Sequence, residues 1–529
     1  MSTLDRRSFL SAGGAALAAT AASAHTPTRR PSVVTVTGGK VAGRATAVPG
    51  VTAWLGIPYA APPVGPMRWR PPGPVQPWRG VRPGDRFGAS PCAMPQSFDG
   101  PDQRVPGMSE DCLTLNVWAP PRADKPRPVM VWIYGGAYVS GTTDDPRYDG
   151  AAMAGQDVIF VSINYRVGIL GFFAHPELAS ESPDGVSGNY ALLDQIAALR
   201  WVKENIAAFG GDPGNVTILG QSAGAFSVAY HLVLPQSRGL FHRAIAQSGA
   251  PMGQVNGLSM IADLAPMEQA GLAFGAKVGA PRLADLRKMD AMALVRAYDG
   301  SWNFQPALDG HVIPAHPFAM IRDGNHARVP LLAGYNADEG AIFAPMGGGT
   351  VAGLDAALTE TFGPLAAKAR AVYPAQTAQE AAARGAEVFG DLIFNWNTAA
   401  LASAMARFGS DPAYLYHFTY DGMPRLGNGT RRCAFHGAEI GLVLRTLGAR
   451  GEPVSAEQRA ISAMLSGYWL DFARQGDPNG GGRPVWPRFV PGTSSVFHLE
   501  GLQPRAGEIP FARRMALIGE AWANPILQA

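Results

Sequence analysis

The 529-residue chain has few charged residues and almost no imbalance between acidic and basic ones. Charged side chains make up 16% of the sequence, and the formal net charge is +3 at pH 7. Proteins that bind nucleic acids usually carry a clustered basic surface, and no basic stripe of that kind occurs in this sequence. We therefore expect no nucleic acid partner, and so small an excess of charge does not indicate a charged substrate.

The sequence also lacks the motifs that commonly bind zinc. It contains no C-x-x-C pair and no H-E-x-x-H segment. Hydrophobic residues make up 47% of the chain, which is ample for a large core, but no stretch after the leader resembles a membrane span. We expect no metal, no cofactor and no stable membrane anchor.

The first 24 residues have the features of an export signal. Paired arginines in Asp5-Arg6-Arg7-Ser8-Phe9-Leu10 precede a weakly apolar run of alanine and glycine, which ends in Ala22-Ser23-Ala24. We predict a twin-arginine signal peptide over 1–24, a single domain over 25–529, and a periplasmic or secreted protein. The alternative is a disordered leader on a cytosolic protein. Cleavage removes one acidic and two basic residues, which leaves a net charge of +2.

Only three cysteines occur, at positions 92, 112 and 433. Export to an oxidising compartment would permit a disulfide, and Cys92 and Cys112 lie close together in a region rich in proline and glycine. Closing that loop would contribute about 3 kcal/mol in the chain-entropy model. Cys433 would then be the unpaired cysteine, and we interpret it as a buried thiol rather than as a second nucleophile.

Hydrophobic periodicity predicts alternating strands and helices. Residues 129–133 and 158–164 are continuous apolar runs, as expected for strands that are buried on both faces. Residues 190–207 have helical spacing, with Asn189 as the predicted N-cap. Alternation with such short turns predicts the α/β class, in which helices cover both faces of a largely parallel sheet.

Other segments carry weaker predictions. We predict an edge strand at 113–118, a strand-free helical excursion over the site at 250–306, a mobile loop at 346–353, and a helix at 455–472 whose capping box is Ser455 and Gln458. Prolines in residues 52–72 predict a segment that wraps the surface without contributing a central strand.

Residues 216–234, VTILGQSAGAFSVAYHLVL, are the most informative stretch. A short apolar run leads into Gly220-Gln221-Ser222-Ala223-Gly224, and an apolar, helix-like segment follows. This strand–turn–helix context is typical of a G-x-S-x-G nucleophile elbow, in which the serine occupies a strained turn. We interpret Ser222 as a nucleophile rather than as an ordinary turn serine. The amide of Ala223 would then point toward the reacting oxygen from the helix N-terminus.

A second turn is predicted to complete an oxyanion hole. Tyr134-Gly135-Gly136-Ala137-Tyr138 follows the buried strand at 129–133, and its small residues would let the backbone amides face a ligand. We predict that the amides of Gly136, Ala137 and Ala223 are the three donors. Losing one such donor typically costs about 3 kcal/mol of transition-state stabilisation.

The residue pattern leaves the acid and the base of such a site open. The strand predicted at 329–334 runs into an acidic turn, where ligands bind in open α/β sheets, but pattern alone does not choose between Asp338 and Glu339. His436 lies between a loop and an apolar, helix-like run. By pattern alone a structural histidine is a somewhat better interpretation of it than a base.

Longer motifs in this chain resemble the type-B carboxylesterase and lipase family, which includes the cholinesterases. The matching segments are Gly56-Ile57-Pro58-Tyr59-Ala60, Ser109-Glu110-Asp111-Cys112-Leu113, Leu115-Asn116-Val117, 132–138, Asn164-Tyr165-Arg166-Val167-Gly168, Gly188-Asn189-Tyr190, Asp194-Gln195 and 210–224. The resemblance spans nearly all of residues 31–500. It implies an α/β-hydrolase fold with helical excursions over the active site.

The resemblance also implies the roles of individual residues. The nucleophile falls on Ser222, the acid on Glu339 and the base on His436, in the chain order that this fold requires. The family disulfide falls on Cys92 and Cys112. We therefore expect a carboxylesterase that hydrolyses a small-molecule ester through an acyl-enzyme intermediate.

Three positions depart from the family pattern. Gln221 stands where the family usually has glutamate, which removes a negative charge near the catalytic imidazolium and argues against choline-type specificity. Ala137 replaces a third glycine and Tyr134 stands where many members have histidine; both still permit donation from the backbone.

Two other functions remain as alternatives. One is an amide or carbamate hydrolase that uses the same triad, and the other is a non-catalytic binding protein on the same fold. Trp302, Phe304 and Phe343 either line a substrate pocket or pack in the core, and Ser248 is either a hydroxyl near the acid or a turn serine. The physiological ester and the oligomeric state are left open.

Overall fold

One large, mixed β-sheet organises the computed structural model of the protein. The structure describes residues 32–94, 107–253, 260–298, 304–422, 434–492 and 495–527. The predicted signal peptide at 1–24, together with Trp302 and Cys433, lies outside the described residues. From Ser32 onward the chain forms one compact unit. None of the described helices is both long enough and apolar enough to cross a bilayer.

The strands lie along the whole described chain. They are β1 (Val33–Val36), β2 (Gly39–Ala45), β3 (Thr52–Pro58), β4 (Val81–Gly84), β5 (Thr114–Ala119), β6 (Arg127–Ile133), β7 (Ile159–Ile163), β8 (Gly211–Gln221), β9 (Arg243–Gln247), β10 (Ala262–Asp263), β11 (Ala307–Leu308), β12 (Leu331–Asn336), β13 (Ala413–Phe418), β14 (Ser495–Leu499) and β15 (Arg505–Glu508).

Thirteen of these strands form the sheet in the order β1-β2-β3-β5-β7-β6-β8-β9-β12-β13-β14-β15, and β4 pairs with β2. Every neighbouring pair from β7 to β14 is parallel. The pairs that join β1, β2, β3, β5 and β7 are antiparallel, as is the pair of β14 with β15. Strands β7 and β12 are buried at every residue, and β6 at every residue except Pro128, as expected for parallel strands covered on both faces.

Helices pack around this sheet, which confirms the predicted α/β class. They are α1 (Ala151–Ala154), α2 (Gly168–Phe172), α3 (Pro176–Glu181), α4 (Tyr190–Asn205), α5 (Ala223–Val233), α6 (Leu264–Lys277), α7 (Leu283–Leu286), α8 (Ala291–Ala297), α9 (Pro317–Arg322), α10 (Val351–Phe362), α11 (Ala366–Val372), α12 (Ala378–Gly390), α13 (Trp396–Phe408), α14 (Ile440–Val443), α15 (Ala456–Gln475) and α16 (Ala512–Ala521). A π-helical turn, Asp391–Asn395, connects α12 to α13.

The parallel strands bring three distant parts of the chain to one edge of the sheet. Strand β6 ends just before the Gly-Gly turn, β8 ends just before Ser222, and β12 ends three residues before Glu339. Because these strands are parallel, their carboxyl ends meet at the same edge, which is where ligands bind in open α/β sheets.

Several local predictions are confirmed and others are wrong. The capping box of α15 is present, with reciprocal bonds between Ser455 and Gln458. The predicted edge strand, β5, instead lies inside the sheet between β3 and β7. Strand β3 lies between β2 and β5, so the prediction that residues 52–72 contribute no interior strand is also wrong. The excursion contains β10, which pairs with β11. Within the segment predicted as a loop, residues 346–349 form a glycine-rich turn in which Gly347 and Gly348 have positive φ, and α10 begins at Val351.

Candidate active site

Ser222 occupies a strained turn between β8 and α5. Its φ is 58° and its ψ is −127°, a region that side-chain-bearing residues rarely adopt. Two backbone hydrogen bonds hold the turn: the Ser222 N–H donates to the Gln247 carbonyl at 2.9 Å, and the Phe226 N–H donates to the Ser222 carbonyl at 2.9 Å. The half-buried serine is therefore fixed at the carboxyl edge of the sheet, as the elbow motif predicts.

The Gly-Gly turn after β6 lies directly against this elbow. A Cβ atom at Gly135 would come within 2.6 Å of the Gln221 carbonyl oxygen and 2.9 Å of the Ser222 Cβ, so only glycine fits there. Gly136 and Ala137 both have positive φ, at 120° and 53°. Their N–H groups donate to no acceptor within the described residues. Ala223 is the first residue of α5, so its N–H has no acceptor in a preceding helical turn.

Glu339 is buried in direct contact with His436. The His436 Nδ1 lies 2.5 Å from Glu339 Oε2, and the other carboxylate oxygen accepts a hydrogen bond from the Asn336 N–H at 2.6 Å. A β-bridge between Asp338 and Phe435 joins the two loops. Asp338 is thus used in backbone pairing, and Glu339 is the acid that reaches the histidine, which the residue pattern alone left open.

The second ring nitrogen of His436 faces the elbow. Gln221 Nε2 lies 3.1 Å from His436 Nε2. Within the described residues no hydrogen bond links the Ser222 hydroxyl to this ring. The structure therefore places the imidazole beside Gln221, whose side-chain amide contacts the ring nitrogen that does not face Glu339.

An aromatic cluster covers one face of His436. The Phe394 ring centroid lies 4.1 Å from the imidazole centroid and the Phe343 centroid lies 5.4 Å from it, while Phe389 packs on Phe343 at 4.9 Å. Phe394 projects from the π-helical turn, a distortion that is often found at functional sites. Sequence reasoning missed both phenylalanines: Phe394 lies in a π-helical turn, which no local pattern marks, and Phe389 lies near the end of α12.

A second buried carboxylate lies behind the first. Glu439 accepts hydrogen bonds from the side-chain amides of Asn336 at 2.7 Å and Gln247 at 3.0 Å, and Trp469 donates to Gln247 in turn. Burial raises the pKa of Glu439, and the nearby Glu339 charge raises it further, against the lowering effect of the amide donors. Asn336 thus joins the two acids, because its backbone N–H bonds Glu339 and its side chain bonds Glu439.

The disulfide implied for Cys92 and Cys112 is not formed in the structure, where both are buried free thiols. They line one small cavity together with Arg68 and Glu110. Burial raises the pKa of Cys92 to about 11, and it also raises the pKa of Cys112 well above its usual value. Disulfide formation requires a thiolate and an oxidant, so burial in the reduced protein works against it.

The other residues that the sequence suggested for the site lie in different surroundings. Phe304 is fully buried against Phe173, with ring centroids 5.2 Å apart, which supports the core interpretation; Phe343 lies beside His436. The buried Ser248 hydroxyl has no partner within the described residues, so it does not bond the acid. No group of three or more His, Cys, Asp or Glu side chains in the described segments is placed to hold a metal ion.

Comparisons with known proteins identify the family of the chain. A model of the carboxylesterase family matches residues 30–517. The chain is 40% identical over 455 residues to a fumonisin B1 esterase from Sphingopyxis macrogoltabida, covering 83% of this chain and 82% of the relative. It is 36% identical to the para-nitrobenzyl esterase of Bacillus subtilis, covering 84% and 90%.

A solved para-nitrobenzyl esterase structure has the same architecture. It superposes with a TM-score of 0.79 at 33% sequence identity and covers 92% of this chain and 99% of that one. The protein therefore belongs to the carboxylesterase family and is a carboxylesterase.

Proposed function

We propose that the protein hydrolyses carboxylic esters with Ser222 as nucleophile, His436 as general base and Glu339 as the acid that orients it. The observation that carries this proposal is the 2.5 Å contact between His436 Nδ1 and Glu339, on a ring whose other nitrogen faces the elbow. A carboxylate on one nitrogen keeps the proton there and leaves the other nitrogen free to accept one. That is the state in which an imidazole activates a serine.

The proposed reaction gives each of these residues one role. Ser222 Oγ attacks the ester carbonyl while His436 Nε2 takes its proton, and Glu339 stabilises the imidazolium that results. The amides of Gly136, Ala137 and Ala223 hold the oxyanion. The intermediate collapses to an acyl-enzyme as His436 returns the proton to the departing alcohol, and water then releases the acid by the same steps.

The aromatic cluster of Phe343, Phe389 and Phe394 supports an apolar alcohol portion in the substrate. We propose that the alcohol portion, which His436 protonates as it departs, binds against the apolar surface of these phenylalanines. Aromatic side chains favour flat, apolar partners. The Bacillus subtilis relative is named for an ester of an aromatic alcohol, and we propose that small, uncharged esters of this kind are substrates here too.

Paired substrates test the reaction class. We expect rapid hydrolysis of p-nitrophenyl butyrate, with a burst of nitrophenol equal to the enzyme concentration if deacylation is slower, and much slower release of p-nitroaniline from the matching anilide. A fluorophosphonate should add one phosphonyl group, which mass spectrometry of the peptides should locate on Ser222. Faster anilide turnover would indicate an amidase, and no turnover or labelling of folded protein would indicate a binding protein.

We further propose that the chain is exported and that a disulfide-forming oxidant outside the cytoplasm takes two electrons and two protons from Cys92 and Cys112, which joins the two sulfurs. The support is the twin-arginine sequence together with the placement of both thiols on one small cavity. The mature protein should begin at His25. Alkylation of the unfolded, unreduced protein should modify one thiol, Cys433, and reduction should expose three. Three reactive thiols before reduction, or an intact leader in the periplasmic fraction, would contradict this proposal.

A further inference from the structure

The Gln221 side chain is held between the two catalytic loops. It belongs to a residue that is 5% exposed, and its Nε2 lies 3.1 Å from His436 Nε2. A Cβ atom at Gly135 would lie 3.3 Å from its Oε1, and a Cβ at Gly437 would lie 3.5 Å from its Nε2. The carboxamide is thus packed between the turn that carries the oxyanion donors and the turn that carries the base.

The protonation state of the imidazole decides which end of this amide meets it. Nδ1 faces the Glu339 carboxylate and must carry a proton to bond it, so Nε2 of the neutral ring has a lone pair and no hydrogen. Only a donor fits there, and the amide N–H₂ of Gln221 is that donor. Ser222 needs the same single lone pair to lose its proton, so the two side chains compete for one site.

We propose that Gln221 is a positioning residue that holds His436 as a neutral base in the resting enzyme and yields Nε2 to Ser222 when substrate binds. This inference rests on the proposed function, because it assigns Nε2 the role of accepting the serine proton. After the proton transfer Nε2 carries a hydrogen. A half-turn of the amide then presents Oε1 as its acceptor, so one neutral residue matches both states of the ring.

A glutamate at this position would behave differently. A carboxylate has no hydrogen to give the neutral ring and would favour the imidazolium by charge attraction. Among the described residues, the other ionisable groups that contact the ring or lie near its acid include Glu339 on Nδ1, Glu439 behind Asn336, and Tyr416, which lies near both acids. The phenylalanines that cover the ring are neutral. Gln221 therefore adds no further negative charge, and activity should persist to lower pH than with glutamate.

The test compares the pH dependence of kcat/KM for Gln221→Glu, Gln221→Met and the parent enzyme on a neutral p-nitrophenyl ester. The acidic limb reports an ionisation of the free enzyme. We expect its midpoint to rise by about one pH unit or more in Gln221→Glu, given a carboxylate within hydrogen-bond reach of the ring. Below the parent midpoint that is about a tenfold loss. Gln221→Met keeps the shape without the donor, and should move the midpoint the same way by less.

Gln236→Glu is the matched control. Gln236 also meets a histidine, with its Nε2 3.5 Å from His311 Nε2, but this pair is solvent-exposed and lies away from the elbow. Its pH profile should be that of the parent. An unmoved midpoint in Gln221→Glu, an equal loss at every pH, or a parental profile in Gln221→Met would each overturn the inference. If turnover also proved independent of Ser222, the proposed function itself would fail; Ser222-dependent turnover with an unmoved midpoint would remove only the role of Gln221.

Discussion

Ser222→Ala is expected to lower kcat for ester hydrolysis by about 10⁶-fold, which is the loss seen when a serine hydrolase loses its nucleophile. The free energy of unfolding should change by less than about 0.5 kcal/mol. Alanine keeps the Cβ and therefore the same strained backbone, and the serine hydroxyl has no hydrogen bond within the described residues to lose. Initial rates on p-nitrophenyl butyrate and urea unfolding curves measure the two effects.

The His436→Ala variant and the double variant Ser222→Ala/His436→Ala show whether Ser222 and His436 act as a unit. Ser222 and His436 share no hydrogen bond among the described contacts, since Gln221 occupies Nε2, so joint action must be shown kinetically. If they work together, the double variant should be no slower than either single variant, because the first loss already removes the whole step. Losses that multiply would contradict the proposed mechanism.

Ser248→Ala is the matched control for this pair. Ser248 also has a positive φ at the carboxyl edge of the sheet, directly after β9, but it is fully buried whereas Ser222 is half-buried. Its hydroxyl has no partner in the described part of the chain. We expect turnover within a factor of two of the parent and unchanged stability. A large loss here would mean that any serine at this edge matters, and the loss in Ser222→Ala would no longer identify the nucleophile.

The strained turn at Ser222 was predictable because every residue that determines it is local. The apolar strand, the glycine-flanked turn and the helix occupy consecutive residues, and the positive φ of Ser222 follows from that sequence. The contact of Glu339 with His436 depends on the pairing of Asp338 with Phe435, almost a hundred residues apart. No periodicity encodes that pairing, which is why residue patterns left the acid and the base open and only the family resemblance assigned them.

The failed predictions share a cause, since each judged a segment by its own residues alone. Asn189 occupies the predicted N-cap position of α4, but its side chain makes no capping bond there. Its amide instead bonds the backbone of Ala307 and the carboxylate of Asp309, across the chain excursion. In the same way β5 alternates like an edge strand, yet β3, which precedes it in the sequence, and β7, which follows it, pair with it on either side and bury it. These contacts join residues that are distant in the sequence and form only in the folded sheet, so the residues of one segment do not predict them.

Gly224→Ala is expected to destabilise the fold by about 3 kcal/mol and to lower kcat/KM by at least about 100-fold. Gly224 is the second residue of α5, where the helix crosses the end of β6. A Cβ atom there would overlap the Ile133 carbonyl oxygen and come within 2.9 Å of the Tyr134 carbonyl oxygen. Both obstacles are backbone, so a flexible side chain cannot relieve the clash by moving aside.

The clash must therefore separate α5 from β6, and these two elements carry the two halves of the oxyanion hole. Ala223 lies on the helix, while Gly136 and Ala137 follow the strand, so a displacement of even 1 Å would separate donors that must reach one oxygen. Gly73→Ala is the control, because a Cβ at Gly73 meets its nearest neighbour at 3.6 Å. Thermal unfolding and kcat/KM measured on both variants should show losses only for Gly224→Ala. Parental stability in that variant would mean that the strand and helix do not approach as closely as the structure has them.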